Sequence, residues 1–163
     1  SLANKIDKIR NYGQESKYHH TMIGWNSRLD SIQAIVLSEK LLILNQWNEQ
    51  RRVVAEWYYD RLKDSNFKTY REKPSSEAVH HLFVITTNNR TQIQEKLDAK
   101  GIPTGIHYPV AIHEHECFKD QAFAINASFP NSERQARELI SLPMHPHLSE
   151  SEVDRVCEAL VEK

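Results

Sequence analysis

Residues 27–62 read SRLDSIQAIVLSEKLLILNQWNEQRRVVAEWYYDRL. Leu29, Ile32, Val36, Leu37, Leu41 and Leu44 recur at helical spacing and give a broad apolar face. The pattern continues through Trp47, Val54, Trp57, Tyr58 and Leu62, with charged residues between them. No glycine or proline interrupts residues 25–73, so the stretch predicts one very long helix, or two in close succession bending near Asn45–Asn48. Ser27 is its expected start, with Asp30 three residues on as a short version of a capping box.

Upstream, Leu2, Ile6 and Ile9 predict a helix over Leu2–Tyr12 that stops at Gly13. Residues 14–26, QESKYHHTMIGWN, show no period and read as a loop. Thirteen structureless residues are long for a compact domain, which points to a functional loop. Downstream, short strands are expected at Phe67–Tyr70, His81–Thr86 and Thr104–Tyr108, and helices at Thr91–Lys100 and Ser132–Ile140. The stretch 110–130 reads as irregular, with a short helix around Glu114–Phe118. Residues 142–146 form a breaker with two prolines. The chain closes in a helix over Ser149–Lys163, capped by Ser149 with Glu152 completing the box. This order predicts an α+β fold, with helices packed on one face of a small, mostly antiparallel sheet and a long helix before it.

Composition narrows the function. Only four of 163 residues are glycine, at positions 13, 24, 101 and 105, and no phosphate-cradling glycine loop can be assembled from them. Lys+Arg 21 against Asp+Glu 22 leaves a net charge of -1, so no basic footprint for nucleic acid or an anionic membrane exists. The longest apolar runs, at residues 34–37, 41–44, 82–85 and 122–125, have four residues each, and neither a membrane span nor a signal peptide is expected. Cys117 and Cys157 form no spaced pair, which fits a reduced, cytoplasmic chain. The first residue is Ser1 rather than Met, inside an expected helix, as in a piece of something longer.

Several residues could carry chemistry. His113, His115 and Cys117 lie close together, with His145 and His147 further on, but their spacing matches no strong metal signature and no metal is expected. Asn26, Ser27 and Arg28 stand at an expected helix start, where free N–H groups and the dipole favour an anion. Arg28 can grip a phosphate through two donors and Asn26 adds another, although an ordinary cap beside a solvated arginine would look the same. His107-Tyr108-Pro109 falls where an expected strand ends, a position from which rigid structure presents side chains.

Together these pieces resemble the DegT/StrS-type family of pyridoxal-phosphate-dependent nucleotide-sugar aminotransferases. The resemblance is carried by Asn11-Tyr-Gly, Lys17-Tyr18, Gly24-Trp-Asn26-Ser-Arg28-Leu-Asp30-Ser-Ile-Gln33-Ala34 and Lys40-Leu41. It continues through Asn48-Glu-Gln-Arg51-Arg52, Ala55, residues 81–85, Gly101-Ile, His107-Tyr108-Pro109 and His113, and ends in residues 142–148. These stand in order and at matching spacing over essentially the whole chain.

The resemblance implies the small C-terminal domain of the type I (aspartate aminotransferase) fold. Residues 1–26 would be the edge of the larger domain with its active-site loop, and 27–163 the small domain with its linking helix. It further implies a homodimer with active sites at the subunit interface, and transfer of an amino group, with glutamate as donor, to a keto-sugar nucleotide. Asn26 and Arg28 are thereby expected to reach the cofactor phosphate of the other subunit. Lys17, His107, Tyr108 and His113 are expected to line the sugar-nucleotide pocket. None of the eleven lysines stands in the family's Schiff-base context, so this chain supplies no catalytic residue and is expected to be inactive alone. His80, Ala111-Ile112 and His115 depart from the family's usual residues and bear on substrate choice. Exposed apolar surface is expected on the helices of residues 1–62. A non-catalytic nucleotide-sugar-binding or dimerisation module is the alternative.

Overall fold

A computed structural model of the chain describes residues 1–121, 123 and 128–162. Apart from Phe123, the apolar run at 122–125 lies outside the described residues, as does Lys163, the last residue of the expected terminal helix. The chain forms two compact units, Ser1–Asn45 and Gln46–Lys163. The boundary between these units falls between Asn45 and Gln46.

In the first unit, α1 (Leu2–Arg10) ends two residues earlier than its apolar pattern implied. Tyr12 and Gly13 adopt positive φ, and the Gly13 N–H donates to Lys8 O at 2.7 Å, which closes the helix. The expected loop of 14–26 contains an antiparallel pair, β1 (Gln14–Ser16) and β2 (His19–His20), with a bulge. Lys17 and Tyr18 make the turn, Tyr18 at φ 68°. No alternating pattern announces strands this short. After them the chain returns along α1: Trp25 N donates to Ile9 O at 2.8 Å, Tyr12 N to Trp25 O at 2.9 Å and Ser27 N to Arg10 O at 2.8 Å.

The long helix α2 (Ser31–Leu62) is a single element of 32 residues. It starts four residues after Ser27, because Asp30 is its cap. The Asp30 carboxylate accepts from Ile32 N at 2.9 Å and its carbonyl from Ala34 N at 2.8 Å. Its two stretches bury different amounts of surface. Ile32 is 74% exposed, Leu41 68% and Leu42 79%, whereas Val54, Ala55, Tyr58, Tyr59 and Leu62 are buried.

The second unit holds the core. Strands β3 (Lys68–Thr69), β4 (Phe83–Thr86) and β5 (Leu139–Leu142) form an antiparallel sheet in that order. Phe83 faces Leu142 and Ile85 faces Ile140 across the β4–β5 ladder. These four side chains pack with the buried residues of α2, with Leu97 of α3 (Arg90–Ala99) and with Val153, Val156 and Leu160 of α5 (Glu150–Val161). Tyr58 stacks on Phe83 with ring centroids 4.6 Å apart, and its hydroxyl donates to Pro143 O at 2.9 Å. Ser149 caps α5 and Glu152 completes the box, as the sequence implied.

Three assignments change. The helix expected over 132–140 is α4 (Pro130–Glu138), and its last apolar residues belong to β5 instead. The edge of β4 supplies hydrogen bonds for Leu139–Leu142, and Pro143 disfavours a helical Leu142, so tertiary pairing overrides local propensity. The strand expected over 104–108 reduces to one bridge between Gly105 and Ser141, with N–H···O contacts of 3.0 and 2.8 Å. The short helix expected near 114–118 is two 3₁₀ turns, Ile112–Glu114 and Glu116–Phe118.

Cys117 is exposed and Cys157 buried, and burial pushes the Cys157 thiol up to about 12. The thiolate is the reactive form. Iodoacetamide at pH 8 should therefore alkylate Cys117 of the native chain and leave Cys157 intact, which peptide mass spectrometry reads directly. Equal labelling of both would contradict this packing of α5.

Candidate active-site surfaces

The sheet's period-2 alternation decides which residues face the core and which do not. Ile140 and Leu142 join the helical core. Leu139 and Ser141 project from the opposite face of the same strand, and there Leu139 lines a cavity of about 480 Å³. His107, Tyr108 and His113 line that cavity too, beside Ile112, Phe129 and Gln135. Three of the residues expected from the sequence are thus brought together. The volume lies within the range of small-molecule sites, roughly 300–1,000 Å³.

Each of the three is held differently. His107 Nδ1 lies 2.9 Å from Ser141 Oγ, and Ser141 is itself buried on β5. The His107–Tyr108 peptide bond is cis, and the two rings meet edge to face with centroids 5.6 Å apart. Tyr108 is 73% exposed and presents its ring and hydroxyl outward. His113 Nε2 lies 3.1 Å from Glu133 Oε1, and its ring packs edge-on to Phe129. Sequence reasoning missed Ser141 and Glu133. The one available signal for Ser141 was a lone hydroxyl among the apolar residues of Leu139–Leu142.

Ser141→Ala should leave the fold intact and free the His107 ring, since only one hydrogen bond is lost. A gain of His107 side-chain mobility in NMR relaxation, with the free energy of unfolding lowered by no more than about 1.5 kcal/mol, is the expected result. An unchanged ring would show that Ser141 does not orient it.

The first unit carries a second concave surface, of about 380 Å³, lined by Asn26, Arg28, Leu29, Asp30 and Ser31. Arg28 Nε donates to Asn26 Oδ1 at 3.0 Å, and the guanidinium sits 5.8 Å from the Tyr12 ring centroid. Neither Asn26 Nδ2 nor the two terminal guanidinium nitrogens has a hydrogen-bond partner among the described residues. The expectation of a helix end behind this pair needs correction: α2 begins at Ser31, and Asp30 already takes one of its free N–H groups. What remains is a side-chain donor set, a fixed positive charge with parallel N–H bonds beside an amide, which suits a phosphate group. Lys17 is not among the residues that line either cavity; it stands at the hairpin tip with Nζ 5.1 Å from the Tyr18 ring centroid. Among the described residues no three His, Cys, Asp or Glu side chains converge to hold a metal, and no helix is long and apolar enough to cross a membrane.

This architecture is the small domain of the type I fold of pyridoxal-phosphate-dependent aminotransferases, as superposition on solved structures shows. Streptomyces venezuelae DesV, crystallised in complex with a ketimine intermediate, matches with a TM-score of 0.90 and 38% identity over 99% of this chain and 43% of its own. Bacillus subtilis NtdA with bound cofactor PMP matches with a TM-score of 0.82 and 26% identity over 98% of this chain and 38% of its own.

The chain belongs to the DegT/DnrJ/EryC1/StrS aminotransferase family, whose model matches residues 1–161. Aminotransferases of this family depend on pyridoxal phosphate. Among relatives, the chain is 40% identical over 161 residues to the erythromycin biosynthesis sensory transduction protein EryC1 of Saccharopolyspora erythraea, covering 98% of this chain and 44% of the relative. It is 38% identical to dTDP-3-amino-3,4,6-trideoxy-alpha-D-glucose transaminase of Streptomyces venezuelae, covering 99% and 42%. The chain thus spans less than half the length of the curated relatives it matches, corresponding to their C-terminal part.

Proposed function

We propose that this chain is the C-terminal portion of an aminotransferase that moves an amino group, with glutamate as donor, to a keto-sugar nucleotide. Residues 1–26 serve as the edge of the larger domain with its active-site loop, and 27–163 as the small domain with its linking helix. The observation that carries the reading is the convergence of His107, Tyr108 and His113 on one cavity of about 480 Å³. A sugar nucleotide offers hydroxyls to the two imidazoles and a ring to Tyr108. Lys17, on its exposed hairpin, supplies a charge for the diphosphate.

Asn26 and Arg28 fit the cofactor's phosphate by their donor chemistry: the Arg28–Asn26 hydrogen bond orients the guanidinium and leaves its outer N–H groups for the anion. Pyridoxal phosphate, when bound, supplies the electron sink for amino transfer, and the protein supplies binding and orientation. Arg28 anchors the phosphate and His107 and His113 orient sugar hydroxyls. The exposed apolar stretch of α2, including Ile32, Leu41 and Leu42, supports a homodimer, because a helix this apolar on all sides is ordinarily covered. Sedimentation showing a clean monomer at high concentration would contradict it. The free cysteines fit a cytoplasmic setting.

None of the eleven lysines has the family's Schiff-base context, so the 163 residues alone do not perform the transfer. Incubation with pyridoxal phosphate should give no visible absorption band that survives dilution. A persistent band that borohydride fixes onto one lysine would overturn this. The name of the Saccharopolyspora relative, a sensory transduction protein, favours one second reading: a non-catalytic module that binds nucleotide sugars or drives dimerisation. Amino transfer by an assembled enzyme containing this chain separates the two.

A further inference from the structure

We propose that Glu133 is the positioning residue that fixes the orientation and tautomer of His113 at the cavity wall. The proposal's significance for substrate rests on reading that cavity as the sugar-nucleotide site.

Glu133 lies in the first turn of α4. Its Oε1 accepts from the Phe129 backbone N–H at 2.7 Å and lies 3.1 Å from His113 Nε2. The Phe129 ring meets the His113 ring edge to face with centroids 4.9 Å apart. The His113 side chain is 9% exposed and that of Glu133 22%. One polar contact and one aromatic contact therefore lock a nearly buried imidazole, and both originate at the start of one helix.

The chemistry of the pair sets the proton. An ionised carboxylate only accepts, so the hydrogen must sit on Nε2. In the neutral ring Nδ1 is then the acceptor. Nδ1 has no partner among the described residues. The His113 ring borders the cavity. Nδ1 is thus the ring atom left to accept from a ligand hydroxyl, and sugar hydroxyls are donors of the required kind. Without Glu133 the ring could present either nitrogen in either state, and recognition of a donor would lose its definition.

Glu133 also caps α4 through Phe129, so its test must separate positioning from capping. The first arm is two-bond ¹H–¹⁵N correlation on the ¹⁵N-histidine-labelled chain. His113 should be the Nε2–H tautomer, with an Nε2 proton that exchanges slowly with water. Glu133→Ala should speed that exchange about five- to tenfold, as for loss of one hydrogen bond. Glu133→Gln should restore the slow signal, because both donors use the same oxygen and an amide oxygen can occupy its place. An Nδ1–H tautomer in the unsubstituted chain, or an unchanged ring in Glu133→Ala, overturns the proposal.

The second arm is calorimetric titration with UDP-N-acetylglucosamine. Glu133→Ala and His113→Ala should weaken binding by similar factors, and the double variant should bind no worse than either. Additive losses would mark Glu133 as a cap acting independently of His113, and would overturn the proposal. If the unsubstituted chain fails to bind, the reading of the cavity falls, while the tautomer arm still decides the role of Glu133.

Discussion

Gly24→Ala should cost the first unit about 3 kcal/mol or more, as an overpacked site with no room to relax. A Cβ at Gly24 would lie 2.2 Å from Gly13 N and 2.5 Å from Ile9 O. Both are backbone atoms of the α1 terminus, so no side-chain rotation relieves the clash. Gly13 is equally constrained: its φ is +71°, and a Cβ there would lie 1.7 Å from Met22 O. The two glycines let residues 22–27 run against α1, and that course places Asn26 and Arg28. Hydrogen exchange reads the outcome. Protection of the Tyr12 and Trp25 amides, which bond to Trp25 O and Ile9 O, should be lost in the variant and retained in a control such as Ser16→Ala. Unchanged protection would mean that residues 22–27 are not held in this way.

Arg28→Ala should weaken retention of pyridoxal phosphate by roughly 10- to 100-fold in an assembled enzyme containing this chain, since a charge-assisted hydrogen bond contributes about 1.5–3 kcal/mol. Arg28→Lys should recover only part of that loss, because a single ammonium cannot reproduce both the Asn26 contact and a paired grip on phosphate. Equilibrium dialysis of the cofactor-loaded protein measures both variants. Equal retention in all three would remove Arg28 from the cofactor site.

Much of this was legible in the sequence because periodicity and caps are local. The 32-residue α2 follows from an apolar pattern free of glycine and proline, and Ser149 with Glu152 announces α5. What was hidden depends on distant partners. Leu139–Leu142 reads as the end of a helix until β4 offers it a ladder, and the β1–β2 pair is too short to carry a pattern. The start of α2 was misplaced because Ser27 and Asp30 are both plausible caps, and only the course of residues 24–27 along α1 excludes the first.

The site divides in the same way. His107, Tyr108 and His113 were expected through the family resemblance, and the cavity brings them together. Ser141 and Glu133, which hold two of them, come from sequence positions 34 and 20 residues away, and nothing local in the sequence links them. The glycine shortage also gains meaning. Two of the four glycines permit close backbone contact beside Arg28, and none forms a phosphate loop.

The central claim is that the cavity beside β5 accepts a nucleotide sugar. Its most direct test is titration of the labelled chain with UDP-N-acetylglucosamine or a dTDP-sugar, followed by NMR shift changes residue by residue. The account predicts saturable changes concentrated at His107, Tyr108 and His113, abolished by Tyr108→Ala together with His107→Ala. Saturable changes located elsewhere, or none at millimolar ligand, would contradict it.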